Sequence, residues 1–239
     1  MSARKIKQHV LSLLATEDLQ DILRQLNTLP VKDVVNVLFS AVCRGEDLIH
    51  WNGVHCMGVY VARLAGQDME EARIVMRRML WSLNDESGGI GWGIPEAMAE
   101  VMVNHDGLAR EYIHMLISYM REDGKELFQQ GNFLEHESLQ QGLLRGIGRL
   151  AEKKPDMLLA RGVVEDILPY LDSRDPSVRG FASRCLGLLQ AGGAVDRIER
   201  LVDDPAPVTL YEEGRISATT VGRMAAAALA GIRRQSECA

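Results

Sequence analysis

The stretch DPSVRGFASRCLGLLQA, Asp175 to Ala191, carries the pattern that most limits the folds open to this chain. Asp175 can cap a helix, and Pro176 fits its first position, where a missing N–H costs nothing. Val178 and Arg179 follow, then the small Ala182, then Leu186 and the small Gly187. Val178, Leu186 and Leu189 supply an apolar body, while Ala182 and Gly187 let neighbouring helices approach closely. The same skeleton returns as Leu139, Leu143, Ile147 and Gly148, as Ile49, Gly53, Met57 and Gly58, and as Val221, Ala225, Leu229 and Ala230. The anchors Leu139, Val178 and Val221 are 39 and 43 residues apart. Ile49 lies 90 residues before Leu139, which is room for two units, so one more unit lies between them. A helical unit of this length cannot bury its apolar face alone and must stack on its neighbours.

Apolar residues recur at three and four along most of the chain. Val31, Val34, Val35, Leu38 and Val42 line one face, and Ala72, Val75, Met76, Met79, Leu80 and Leu83 line another. Leu108, Tyr112, Met115, Leu116 and Tyr119 form a third. The spacing predicts helix pairs at 31–44 with 47–65, 68–84 with 94–104, 107–122 with 134–152, 155–171 with 175–191, and 194–203 with 219–234. Residues 1–30 are expected to form capping helices over the first pair, and 31–239 one continuous array. In the last pair, Val208, Leu210 and Tyr211, then Ile216 and Thr219, predict a β-hairpin turning at Glu213–Gly214. The 207–218 hairpin either covers the open end of the stack or offers an edge to another chain.

A helix pair of about this length whose second helix reads V-R-x-x-A-x-x-x-L-G, as at Val178–Gly187, resembles the HEAT-repeat superfamily. More narrowly, it is similar to the bacterial HEAT-like repeats named after phycobilisome lyase subunits, over about residues 31–234. The resemblance implies an all-α fold, a right-handed α-α superhelix of about five helix pairs with the hairpin inserted in the last repeat. It implies a concave face built from the second helices, and a non-catalytic protein-binding or scaffold role for it. Bilin lyase subunits attach a tetrapyrrole to cysteine, so the resemblance also leaves open an enzyme subunit. A third reading, a DNA-acting protein, comes from the alkylpurine DNA glycosylases, which are HEAT-like and of similar length.

One connection departs from the array. Residues 84–96 hold a link of about ten residues, longer than the short links at 45–46 and 172–174 in other pairs. Asn84, Asp85, Glu86 and Ser87 give it carboxylate and amide groups, and Gly88, Gly89, Gly91 and Gly93 permit unusual backbone angles. Pro95 restarts a helix that carries Glu96 and Glu100 one turn apart. Trp92 lies in the link, Trp81 precedes it, and His50 and Trp51 begin the preceding second helix. Trp81, at the border of its apolar stripe, is read as core. The candidate binding site is therefore Asn84, Asp85, Glu86, Ser87, Trp92, Glu96, Glu100, Trp51 and His50, with a protein as the expected partner.

Other chemistries fit poorly. GGIGWG follows a helix, lacks a Gly-Lys-Ser/Thr end and is flanked by carboxylates that repel phosphate, so no nucleotide is expected. The carboxylates match no metal-loop spacing. HEAT-repeat deoxyhypusine hydroxylases hold two irons through several His-Glu pairs, and this chain has only His136–Glu137. No metal, no other cofactor and no catalytic residue is expected, because no nucleophile and base stand at a recognisable spacing. A net charge of −6 argues against nucleic acid as the partner. Cys43, Cys56 and Cys185 fall in predicted helices with no C-x-x-C pair, which reads as buried reduced thiols in a cytoplasmic protein. No apolar run is long enough to span a membrane, and the N-terminus reads as an amphipathic helix rather than a signal peptide.

Overall fold

A computed structural model of the chain describes residues 2–45, 48–84, 91–122, 132–212 and 215–236. The chain divides into two compact units, Met1–Tyr112 with Tyr211–Arg215, and Ile113–Leu210 with Ile216–Ala239.

The first unit opens with α1 (Ala3–Leu14) and α2 (Leu19–Leu26), which bury Val10, Leu14, Ile22 and Leu26. Asp18 caps α2 by accepting the Asp21 N–H. Two helix pairs follow, α3 (Val31–Val42) with α4 (Leu48–Gln67) and α5 (Met69–Leu83) with α6 (Ile94–Asn104). Asp68 caps α5 with bonds from the Glu70 and Glu71 N–H groups. All five residues of the expected α3 face, Val31, Val34, Val35, Leu38 and Val42, are buried. Within this pair, a Cβ on Gly53 of α4 would lie 2.9 Å from Ala41 Cβ of α3.

Successive pairs stack in register. Gly93, just before α6, packs against His50 in the first turn of α4, and Gly58 of α4 packs against Glu100 of α6. Both positions advance in the same direction, so α4 and α6 run parallel, as second helices of consecutive repeats must. The first helices do likewise. Lys32 pairs with Glu71 at 2.9 Å, and Arg78 reaches Asn36 and lies 3.9 Å over the Phe39 ring. Arg73 of α5 then pairs with Glu111 at 2.6 Å in the first part of α7 (Asp106–Ser118). The partners 32/71, 50/93 and 58/100 are offset by 39, 43 and 42 residues, the period seen in the sequence.

The second unit contains α8 (Glu137–Lys153), α9 (Pro155–Leu159), α10 (Val163–Ile167) and α11 (Pro176–Leu188). It continues through α12 (Val195–Glu199), the hairpin strands β1 (Pro207–Glu212) and β2 (Arg215–Thr220), and α13 (Val221–Ser236). Helices α8, α11 and α13 again stack in parallel, since Gln141 and Gly148 meet Asp175 and Cys185 in that order, and Gly180 and Gly187 meet Met224 and Ala228. Arg145 lies 4.6 Å over Phe181, and the Cys185 thiol donates to the Leu144 carbonyl at 3.1 Å. On the other side of α11, a Cβ on Gly187 would sit 2.6 Å from Ala228 Cα of α13.

Several expectations are corrected. The helix expected at 155–171 is broken into α9, α10 and a 3-10 turn at Leu168–Asp172. Gly162 takes φ +69°, which ends the α9 turn, and Pro169 denies the backbone a donor. The helix expected at 194–203 shrinks to α12, five residues ahead of the turns that lead to Pro205 and Pro207. Met115 is 37% exposed rather than core. Cys56 and Cys185 are buried, but Cys43 is exposed because it caps the end of α3. The hairpin turn at Glu213–Gly214 and Cys238 lie outside the described residues. No helix is long and apolar enough to cross a membrane among the described residues.

Candidate functional site

The start of α4 places His50, Trp51 and Asn52 side by side, and each has a distinct task. His50 is 4% exposed, and its Nδ1 lies 2.8 Å from the Val42 carbonyl at the end of α3. A carbonyl only accepts, so Nδ1 carries the proton, and the imidazole satisfies a helix-terminal carbonyl. Asn52 is fully buried and donates from Nδ2 to the Leu14 and Thr16 carbonyls, both at 2.9 Å, closing the end of α1. Its Oδ1 accepts from the Tyr211 hydroxyl at 3.2 Å. Trp51 is 3% exposed, stacked on Tyr211 with ring centroids 4.9 Å apart and edge-on to His50 at 4.6 Å.

Helix α6 supplies the carboxylates. Glu96 and Glu100 are 6% and 7% exposed, and Glu100 Oε2 lies 3.9 Å from His55 Nδ1 on α4. Both carboxylates are buried. Burial follows from the close approach of the helices: Gly58 leaves no room for a Cβ, and α6 is drawn flat onto α4. Among the described residues, no three His, Cys, Asp or Glu side chains come together with metal-binding spacing.

The three tryptophans do not share one surface, since Trp51 is interior, Trp92 is half-buried, and Trp81 is 77% exposed. Trp81 was read as core, and the structure overturns this. Its stripe is narrower than the sequence suggests, and Ala72, Val75, Met76 and Met79 alone are buried on α5. Ile74, seven residues before Trp81 and so on the same side of the helix, is also exposed at 48%. Asn84 is exposed at the end of α5, while Asp85, Glu86 and Ser87 lie outside the described residues.

Asn52 was not singled out, although a lone carboxamide inside the apolar run IHWNGVHCMGVY is a readable signal of a buried cap. A cavity in the second unit was missed as well. It is an open cleft of about 610 Å³ between the end of α7, the segment leading into α8, and the 3-10 turn after α10. Met120, Phe133, Pro169 and Tyr170 give it apolar walls, and Glu122, Glu165, Asp166 and Asp172 give it carboxylates. The Arg121 guanidinium meets Asp166 with two bonds, 2.9 and 2.8 Å. Its residues come from segments too scattered to align by spacing.

No family model matches the chain, and no curated protein matches it. Solved structures do. Two engineered proteins from the Northeast Structural Genomics Consortium align with TM-scores of 0.57 and 0.51 at 13% and 14% identity. The first alignment covers 95% of this chain and 90% of that one, and the second covers 98% of each. A designed armadillo repeat protein in complex with the peptide (KR)4 aligns with a TM-score of 0.50 at 16% identity, over 94% of this chain and 98% of that one. Together with the parallel stacking of second helices, these likenesses place the chain in the all-α, helical-repeat class of α-solenoid folds, with one small β-hairpin.

Proposed function

We propose that the chain is a non-catalytic binding module for a polypeptide partner, engaged through the first helix α5 rather than through the concave face of second helices that the HEAT-like resemblance implies. The observation that carries this reading is Trp81, a tryptophan left 77% exposed beside the 84–96 connection. Indole is the side chain most often responsible for large contributions at protein interfaces, and leaving one in water has a standing cost. Ile74 extends the same strip along α5, and Arg77 and Arg78 border it. The solved armadillo-type relative that carries a bound peptide supports a polypeptide as the partner class. The net charge of −6 together with the arginines bordering the strip favours a partner of mixed charge. On this reading Trp81 and Asn84 touch the partner, and His50, Trp51, Glu96 and Glu100 hold the helices that present them.

Peptides selected from a displayed random library against the full chain provide the test. Trp81→Ala is expected to weaken the selected peptides at least about tenfold, and Trp81→Phe to retain most of the affinity. Tryptophan emission should shift to the blue on binding as Trp81 leaves water. Peptides that bind the alanine variant as tightly as the parent would sink the proposal.

A further inference from the structure

The two strands of the hairpin have unlike outer edges. The Val221 N–H donates to the Ala206 carbonyl at 3.0 Å, so 206 and 221 form a hydrogen-bonded pair of the antiparallel ladder. Such pairs recur at every second residue, so Val208 and Leu210 of β1 exchange bonds with Thr219 and Ser217 of β2. The backbone of Pro207 and Thr209 then points away from β2, and that of Ile216, Ala218 and Thr220 points away from β1. Arg145 of α8 reaches the Thr209 carbonyl at 3.4 Å, as this register requires.

The edge of β1 is guarded. Pro207 has no N–H to offer another strand, and the Arg145 guanidinium occupies the next carbonyl. The edge of β2 is open. Arg215, Ile216, Ser217 and Ala218 are exposed, Ile216 at 45%. No proline or lysine interrupts Ile216–Thr220, and the outward N–H and C=O groups of Ile216 and Ala218 have no partner among the described residues. A two-stranded ribbon is marginal in water, and an open edge is a template for a further strand. The segment Ile216–Thr220 carries no charge, so a charged strand gains nothing along it. The chain itself supplies an uncharged strand of the right length.

We propose that two copies of the chain pair β2 with β2, antiparallel about a two-fold axis at Ala218, into one four-stranded sheet. This register uses every outward position: Ala218 faces Ala218 of the second copy, and Ile216 faces its Thr220. Ser217 then faces Thr219, so the cross-strand pairs are small or β-branched and uncharged. The two Arg215 side chains fall at opposite ends of the ribbon, about 20 Å apart, where salt screens them. Five paired residues without an apolar core make a small interface, so the association is weak and concentration-dependent. Nothing in it depends on the role given to Trp81.

Sedimentation velocity of the full chain tests it, with reversible dimers expected within about 10–500 µM. Ala218→Pro removes the outward N–H, leaves the bonds to β1 in place, and should weaken dimerisation at least about tenfold. Ala218→Lys sets two ammonium groups directly opposite each other and should weaken it several-fold, as should Ala218→Glu with two carboxylates. Both are changes at an exposed position, so their melting temperatures should match the parent's, and they carry the test if the proline variant does not fold. Mixing the lysine and glutamate variants should restore dimers, because opposite charges then meet. A site for a foreign strand would give no such rescue. A parent that stays monomeric at about 500 µM, a dimer that Ala218→Lys leaves intact, or a mixture no better than either variant alone overturns the proposal.

Discussion

At Gly58 the chain has no room for one more carbon. A Cβ there would sit 2.7 Å from Glu100 Cβ and 2.8 Å from the Glu100 carbonyl, and backbone cannot swing aside as a side-chain tip can. Gly58→Ala is therefore expected to destabilise the protein by about 1–3 kcal/mol in urea unfolding, through forced separation of α4 and α6. Gly66, in the last turn of the same helix, meets nothing within 4 Å. There the same substitution should stabilise by up to about 1 kcal/mol, since only the helix-propensity gain remains. If both substitutions shift the midpoint equally, the packing account of Gly58 is wrong. The glycines at Gly58 and Gly187 were legible because they hold one place in a repeated skeleton, and each proves to face the next second helix. Trp81 was not legible. Periodicity puts it at the edge of an apolar stripe, and only the packed structure decides on which side of that edge the indole falls.

The element that best explains the skeleton is the start of α11. Asp175 accepts the Val178 N–H at 2.9 Å and receives Gln141 Nε2 from α8, so one side chain caps its helix and ties it to the previous repeat. Arg179 continues the tie forward. Its guanidinium donates to the Ser173 and Arg174 carbonyls at 2.8 and 2.9 Å, and to Asp204 Oδ2 at 2.6 and 3.1 Å. Arg179→Met is expected to cost about 2 kcal/mol, because it leaves these acceptors unpaired. Burial pushes the Asp204 carboxyl up, but the Ala206 N–H and Arg179 outweigh it and hold it below the usual carboxylate range. A lowered carboxyl adds stability that is present above its unfolded value, near 3.9, and is lost as pH falls through the folded value. Asp204→Asn should therefore be less stable than the parent at pH 7, by about 1 kcal/mol, and the difference should close as pH falls below about 4. A deficit that persists unchanged at pH 3 would contradict this assignment. The arginine was visible in the motif, but its partner was not, since Asp204 lies in the turns ahead of the hairpin and has no counterpart in the other repeats. The segmented 155–172 region was hidden for a similar reason: its apolar spacing is helical throughout, and Gly162 and Pro169 break it locally.

For the whole molecule, the ends of an array carry the burden of closing it. Helices α1 and α2 cover the first pair, and Asn52 binds the end of α1 through two carbonyls. Removing residues 1–29 should expose the apolar sides of α3 and α4 and leave Asn52 without those acceptors, with aggregation or a lowered melting temperature as the readout. A truncated chain that melts like the parent would show that the cap is dispensable. The logic of repeats predicts a cap over the first pair, whereas no pattern in the sequence points to the bond between Tyr211 and Asn52. Contacts between neighbouring repeats link positions about 34–45 residues apart, as Gln141 with Asp175 or Arg121 with Asp166. Tyr211 and Asn52 are 159 residues apart. In kinetic terms the two kinds of contact differ. Closing a loop roughly four times longer costs about 1.2 kcal/mol more in chain entropy, and it returns little until both sides are built. The Tyr211 stack on Trp51 should therefore form after the folding barrier is crossed. Tyr211→Ala would leave the refolding rate nearly unchanged and speed unfolding, so that this one side chain acts as a latch on the lifetime of the folded state.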